Sequence, residues 1–447
     1  MTEPLSATRR DPADDHEVCR RLPRALTPFR TPAYRWLAVS LTASSFAAGV
    51  WVVALVWEVI ELGGGPRDLS FVTTASAIGV LLPALVAGVV ADRVPQRLIL
   101  LAVAVVEVLG MGLVALLSSM GLGSLWLLAA VAFTTGMGMA FYYPAYSAWL
   151  PALVPESQLQ AVNGFEGMVR PTIGQAVGPA VAGAVVAAAS PSAAFVVAAG
   201  SSVVTVLALL KVPQTPIRRT LDEEHLTHPV RTALHDMREG FVYMVRTPWL
   251  LATLLFASLM VLVMMGPLEV LIPFLVKDEL GGGPRDHAYV LAGFGLGGAV
   301  GSLVMASVRM PRRYLTLMNL GWGVACLPFL VIGVTTSIWV VVACAFVMGA
   351  AFAAPMVIWG TLLQRRVPPA LLGRVASLDF FVSVSLMPVS MALAGPVADL
   401  IGLQATFAVA GTVPLVVAVV AILWARLPQD ELAHPLDDLQ ATPTPQQ

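Results

Sequence analysis

Six ionisable residues interrupt the apolar runs of this chain: Glu58, Glu107, Glu166, Arg170, Glu269 and Asp379. An ionisable side chain inside a membrane-spanning helix costs about 2.5–3.5 kcal/mol on insertion scales, so such groups rarely sit there without a task. A carboxylate facing a dry cavity between helices can exchange protons or hold a cationic compound. Glu269, in the middle of its run, is the first candidate for that role. Glu166 and Arg170 are four residues apart, the spacing of an ion pair on one helix face, which favours a structural or gating role over a proton site. Asp379 lies at a nearly equivalent depth in its own run, placed to meet a partner from another helix. A lipid-facing Glu107 would be costly, so it is expected to point inward. Glu58 and Glu61 lie near the end of a run and read as interfacial. All six histidines, His16, His225, His228, His235, His287 and His434, are read as lying outside the apolar runs, which leaves proton chemistry at membrane depth to carboxylates. Cys19, Cys326 and Cys344 make no disulfide framework, and no metal-ligand spacing is present, so neither metal nor cofactor is expected.

The elements that must carry these groups are membrane helices. Hydrophobic residues make up 57% of the 447 and charged residues 12%, where a soluble domain carries about 25% charged. The mean hydropathy is +0.82. A net charge of −1 gives no reason to expect a nucleic-acid partner. A spanning helix needs about 20 mostly apolar residues. Twelve such runs are placed at 36–60, 70–91, 98–118, 124–148, 160–188, 193–211, 249–276, 288–308, 314–334, 337–362, 373–398 and 404–425. The residues before Trp36 hold no apolar core, so no cleaved leader is expected.

An internal repeat sets the organisation. Leu62-Gly63-Gly64-Gly65-Pro66-Arg67-Asp68 recurs unchanged as Leu280-Gly281-Gly282-Gly283-Pro284-Arg285-Asp286, an offset of 280 − 62 = 218. Each copy joins two apolar runs, so the chain reads as two homologous six-helix halves, the usual plan of a transporter. The offset maps Glu269 onto Trp51, so the carboxylate breaks the internal symmetry. The expected division is a cytoplasmic tail 1–35, a bundle 36–211, a linker 212–248, a bundle 249–426 and a cytoplasmic tail 427–447, whose end, 441–447, looks disordered. With the N-terminus cytoplasmic, 22 basic residues fall on the inner side and three on the outer, a strong positive-inside bias. In the linker, Leu234, Met237, Phe241 and Met244 follow helical spacing beside Arg231, His235, Arg238 and Glu239, the pattern of an interfacial helix bracketing the halves.

Between the second and third runs lies Gly88-Val-Val-Ala-Asp92-Arg93-Val-Pro95-Gln-Arg97. It resembles the signature loop of the major facilitator superfamily, with Pro95 for the usual second glycine and Gln96 for one basic residue. The second half keeps a remnant, Arg309-Met-Pro311-Arg-Arg313, without an acidic residue. Gly174-Gln-Ala-Val-Gly178-Pro179-Ala-Val-Ala-Gly183 looks like the antiporter motif of drug-exporting facilitators, although plain helix packing explains small residues four apart as well. The run Gly293-Phe-Gly295-Leu-Gly297-Gly298 reads as a packing face. Leu153-Val-Pro155, Arg366-Val-Pro368 and Leu372-Gly373-Arg374-Val375 are similar to the branch holding the enterobactin exporter and the macrolide efflux proteins.

The resemblance implies an all-α integral membrane fold: twelve transmembrane helices in two pseudo-symmetric six-helix bundles. It further implies that Gly88, Asp92, Arg93 and Arg97 gate the cytoplasmic face, and that the seventh helix, with Glu269, lines the central cavity. Many proton-coupled drug exporters of the superfamily carry an arginine in the fourth span, and Ala132-Phe-Thr-Thr-Gly136-Met-Gly138 has none. Trp51, Tyr142, Tyr143 and Tyr146 are candidate cavity aromatics, with interfacial anchoring an equal alternative for the tyrosines. The function expected is export of a small amphipathic compound, drug or siderophore-like, by alternating access and proton antiport. An importer or a lysophospholipid flippase on the same fold is the alternative. Expected partners are the small-molecule substrate, protons and the lipid bilayer, for a monomer in the plasma membrane with both termini cytoplasmic. No enzyme motif is present.

Overall fold

Pairs of long helices run back and forth in a computed structural model that describes residues 24–84, 87, 90, 94–155, 158–214, 229–308 and 310–435. Among the described residues eleven helices are long and apolar enough to cross a membrane, and no strand occurs. The remaining expected span, 70–91, is helical over Pro66–Leu81 and again at residues 84, 87 and 90. In chain order the helices are α1 (Pro32–Glu61), α2 (Pro66–Leu81), α3 (Gln96–Ser119), α4 (Leu125–Leu153), α5 (Leu159–Val169, Arg170–Val177, Gly178–Ala188) and α6 (Pro191–Lys211). The second half holds α7 (Pro248–Gly266, Pro267–Leu271, Ile272–Phe274, Leu275–Glu279), α8 (Pro284–Ser307), α9 (Tyr314–Ala325, Pro328–Ile332), α10 (Ile338–Arg366), α11 (Pro369–Ser385, Met387–Ile401) and α12 (Leu403–Trp424).

Helix starts are written locally. Proline opens α1, α2, α6, α7 and α8, where its missing N–H would have been unpaired in any case. Ser124 and Ser190 cap α4 and α6 by accepting from Leu127 N and Ala193 N, each at 3.2 Å. The repeated loop folds the same way twice. Gly63 and Gly281 take φ of +76° and +63°, which a side chain would strain, and Asp68 and Asp286 accept from Gly65 N and Gly283 N at 2.8 Å in both copies. The register into the preceding helix differs: Gly64 N donates to Val59 O, whereas Gly282 N donates to Val276 O. Val276 thus stands where Val59 stands, an offset of 276 − 59 = 217. The extra residue is taken up by the wide turns of Leu275–Glu279, where Leu280 N reaches back to Leu275 O.

The halves meet through two helix pairs running from the glycine-loop end toward mid-membrane. On α2 and α11, Gly395 N donates to Ser70 Oγ at 3.0 Å and Arg67 pairs with Asp399. On α5 and α8, Gly183 lies so close to Pro284 O and Ala288 that a Cβ there would stand 2.7 and 2.6 Å from them. In the Gly293–Gly298 run, Gly293, Gly297 and Gly298 pack α8 on α10, while Gly295 meets Gln175 of α5 in the other half.

Two expectations are corrected. His287 is not outside the apolar runs: it sits in the first turn of α8, 2% exposed, with Nδ1 buried and unpartnered. Glu58 is not interfacial but 3% exposed, beneath the turn at Gly123. The first part of the expected tail, 427–435, is ordered. A helix, Leu427–Ala433, docks on the ends of α9 and α10, with Glu431 accepting from Leu315 N (2.9 Å), Thr316 N (3.1 Å) and Thr316 Oγ1 (2.8 Å). The linker contains the expected helix, Pro229–Arg246, with Tyr243 donating to Arg366 O at 3.4 Å. Residues 215–228 and 436–447, which include His225, His228 and the end of the tail, lie outside the described residues.

Candidate functional site

Glu269 is carried by a break in α7. Pro267 cannot donate an N–H, and over Pro267–Leu271 the helix widens so that Ile272 N bonds to Pro267 O five residues back. Such single wide turns are frequent at functional sites. The break is pinned from α11, where Ser390 Oγ accepts from Gly266 N at 2.8 Å. Glu269 is half-buried and has no hydrogen bond or ion pair among the described residues. The 217 register moves its counterpart in the first half from Trp51 to Val52, since 269 − 217 = 52. Trp51 itself is 7% exposed and packs its ring 5.3 Å from Phe195, inside the first bundle.

The second group lies where α4 meets α5. Arg170 Nε donates to Glu166 Oε1 at 2.8 Å, and Nη2 stands 2.7 Å from the same oxygen but off the line a hydrogen bond needs. The guanidinium lies 4.6 Å from the Tyr143 ring centroid and 5.9 Å from that of Tyr142, a cation–π arrangement. Tyr142 stacks on Tyr146 at 5.7 Å. The hydroxyls of Tyr34, Tyr142 and Tyr146 are all buried without a partner, so this region holds polar capacity that neighbouring side chains do not use.

Asp379 accepts from Trp359 Nε1 at 2.9 Å and Ser383 Oγ at 3.3 Å, beneath a ladder in which Trp359 neighbours Trp249 and Trp322 at 6.3 and 6.5 Å. Glu107 of α3 is half-buried, on a helix that packs along α6. The structure therefore brings Glu166, Arg170 and the tyrosines together and leaves Glu269, Asp379 and Glu107 on separate helices.

The two motifs divide differently. Gly88, Asp92 and Arg93 lie outside the described residues. Arg97 donates to Leu209 O (3.1 Å) and Leu210 O (2.6 Å), a cation closing the carbonyl end of α6. In the antiporter-like run, Gly174, Gly178 and Pro179 press on Gly49 of α1, while Gly183 meets α8 of the other half. The run thus packs within one bundle and between the two.

Sequence reasoning missed the Arg366 hub. Arg366 lies over Trp249 at 4.7 Å, contacts Asp430 Oδ1 at 2.5 Å and donates to the Tyr314 hydroxyl at 3.4 Å. Its one local signal was Pro428 near the start of a short acidic stretch, Asp430-Glu431. Among the described residues no group of three or more His, Cys, Asp or Glu side chains could hold a metal. A cavity of about 440 Å³ between Glu279, Thr335 and Gln404, and an apolar groove of about 600 Å³ along α9 and α10, are lined by none of Glu107, Glu166, Glu269 and Asp379.

The sequence pattern of the family described as transmembrane secretion effector matches residues 24–446. The chain is 28% identical over 421 residues to the multidrug efflux pump Tap of Mycolicibacterium fortuitum, covering 90% of this chain and 98% of that protein. It is 26% identical over 392 residues to macrolide efflux protein A of Streptococcus pyogenes, covering 86% and 92%. Among solved structures, a POT family transporter in complex with 5-aminolevulinic acid superposes with a TM-score of 0.69 at 13% identity, covering 88% of this chain and 96% of that one. A bacterial homologue of the human lysosomal transporter Spinster, inward-facing and unoccupied, superposes with a TM-score of 0.62 at 15% identity, covering 90% and 98%.

Proposed function

From a chain that belongs to the transmembrane secretion effector family of major facilitator transporters, we propose export of a small amphipathic compound by alternating access, driven by inward proton movement. Relatives named multidrug and macrolide efflux pumps, matched over most of their length, support the direction and the amphipathic cargo. The observation that carries the proton role is Glu269: a half-buried carboxylate without a partner among the described residues, set in a break of α7 that is pinned to α11. A paired carboxylate must lose its partner before it can take a proton, and among the described residues Glu269 has none to lose.

Positive-inside orientation puts both termini in the cytoplasm and the two glycine-rich loops outside. The close contacts of α2 with α11 and of α5 with α8 beside those loops then lie on the outer side. In the cycle, rocking of the bundles moves Glu269 between the two aqueous sides. Each proton entering with the membrane potential supplies about 2.3 kcal/mol per 100 mV. The chain works as a monomer in the plasma membrane, with Asp92 and Arg93 completing the cytoplasmic gate that Arg97 borders. The test is proteoliposomes with a pH-sensitive dye inside. Substrate-driven proton flux lost in Glu269→Gln supports the reading, and undiminished flux removes Glu269 from it. Lipid translocation without compound efflux would favour a flippase.

A further inference from the structure

Two of the membrane carboxylates occupy the same place in the two halves. The turn into α5 is repeated by the turn into α11. Val154 N donates to Leu150 O and Gln158 N to Pro155 O, while Val367 N donates to Leu363 O and Leu371 N to Pro368 O, an offset of 367 − 154 = 213 throughout. Close backbone contacts give α4 and α10 the same offset. A Cβ on Gly136 would meet Ser76 O and Val80 N of α2, and a Cβ on Gly349 would meet their equivalents by 218, Phe294 O and Gly298 N of α8. By the 213 register Glu166 corresponds to Asp379, Arg170 to Ser383 and Tyr146 to Trp359. Val162 and Val169, which share the helix face of Glu166, recur as Val375 and Val382.

The equivalent acids are bonded differently. Asp379 accepts from Trp359 Nε1 of α10 at 2.9 Å and from Ser383 Oγ, one turn on, at 3.3 Å. Glu166 accepts from Arg170, one turn on, at 2.8 Å. Tyr146, in the place of Trp359, is 1% exposed, and its hydroxyl has no hydrogen-bond partner among the described residues. The ring is close to the pair. It lies in one core with Val162 and Val169, and it stacks on Tyr142, whose ring centroid is 5.9 Å from the Arg170 guanidinium. A buried hydroxyl left unbonded costs stability, so native proteins keep few of them. A carboxylate offers about four acceptor sites, and a tyrosine hydroxyl can fill one as an indole N–H does.

We propose that Tyr146 is a positioning residue for Glu166: its hydroxyl is the second donor, which takes the carboxylate when Arg170 releases it. The second half shows the acid held by the aromatic donor, and the first half shows it held by the cation. Movement of the bundles passes Glu166 from one donor to the other and frees the guanidinium over Tyr143. The inference rests on the transport reading and adds to it a two-position switch where α4 meets α5. No proton is gained or lost in the exchange, so coupling stays with Glu269.

The first test needs no transport. Melting temperatures in detergent are compared for the parent, Tyr146→Phe, Arg170→Met and the double variant. Tyr146→Phe removes a hydroxyl that is unbonded in this structure, so it should melt with the parent or above it. Arg170→Met should cost several degrees more in the Tyr146→Phe background than in the parent, because the stranded carboxylate then lacks its second donor. Additive losses overturn the proposal, and so does a Tyr146→Phe that melts well below the parent. The second test measures efflux of fluorescent amphipathic dyes from proteoliposomes. In Tyr146→Phe, kcat should fall about three-fold or more with KM little changed. An unchanged kcat, or a defect confined to KM, overturns the switch. A parent that exports none of the dyes would count against the export reading alone, because the melting cycle still decides whether Tyr146 is the second donor.

Discussion

Asp379 accepts two hydrogen bonds, from Trp359 and Ser383, whereas Glu269 accepts none among the described residues. Two carboxylates at similar depth therefore face different tasks. Asp379→Asn keeps an acceptor oxygen for Trp359 and is expected to retain at least half of proton-driven efflux. Glu269→Gln is expected to lower it about ten-fold or more while the protein still reaches the membrane. Vesicle efflux under an imposed pH gradient separates the two, and equal losses would remove the distinction. Glu166 and Arg170 act as a unit. Removing one charge strands the other in a partly buried site, so Arg170→Met should lower the melting temperature in detergent more than the double change Glu166→Gln with Arg170→Met. A double variant as unstable as the single one would show that the pair contributes through something other than charge balance.

At the scale of elements, the helix Leu427–Ala433 closes an end that α9 would otherwise leave open. The first amides of a helix have no partner within it, and Glu431 satisfies those of Leu315 and Thr316 while bringing negative charge to the positive end of α9. Asp430 meanwhile holds Arg366 at the end of α10, and Arg366 covers Trp249 at the start of α7. One short helix thus ties three spans together. Glu431→Ala is expected to cost several degrees of thermal stability by fluorescence-detected gel filtration, and Glu431→Gln, which keeps acceptor oxygen but no charge, less than that. If both variants melt with the parent, the cap is ornamental.

For the whole molecule, the two halves are alike in topology and unlike in how they are fastened. Arg67, at the start of α2, pairs with Asp399, while its repeat partner Arg285, at the start of α8, is exposed and faces an end of α5 without a carboxylate. Closure on the α5–α8 side rests on Gly183 and backbone contact instead. Arg67→Ala should shift the population toward the state open at the glycine-loop end, and Arg285→Ala should not. Gly183→Leu should prevent closure there, because a side chain would enter the space of Pro284 O and Ala288. A Ser70→Cys reporter, beneath the Gly395 contact, reads both effects as maleimide labelling from the outer side. Labelling as slow in Gly183→Leu as in the parent would show that this contact does not close the gate.

The sequence by itself determined eleven of the twelve long apolar helices and the repeat, because each rests on local properties: about twenty mostly apolar residues, proline at a first turn, a glycine that must take positive φ. It also singled out the membrane carboxylates, since charge in an apolar run stands out wherever the run folds. Only the tertiary structure decided what each group meets. Trp359, one partner of Asp379, lies 20 residues away and the partners of Glu431 lie 115 or more away, and no local pattern encodes such a pairing. His287 and Glu58 read as boundary residues, yet both are buried, because a neighbouring helix or turn covers a position that hydropathy places at an edge. The same holds for the symmetry. A constant offset of 218 is correct for the loops, but wide turns in α7 and a shorter path into α10 shift the equivalences to 217 and 213. Hydrogen bonds and backbone contacts set register in three dimensions, and counting along the chain cannot see an inserted residue that a helix absorbs.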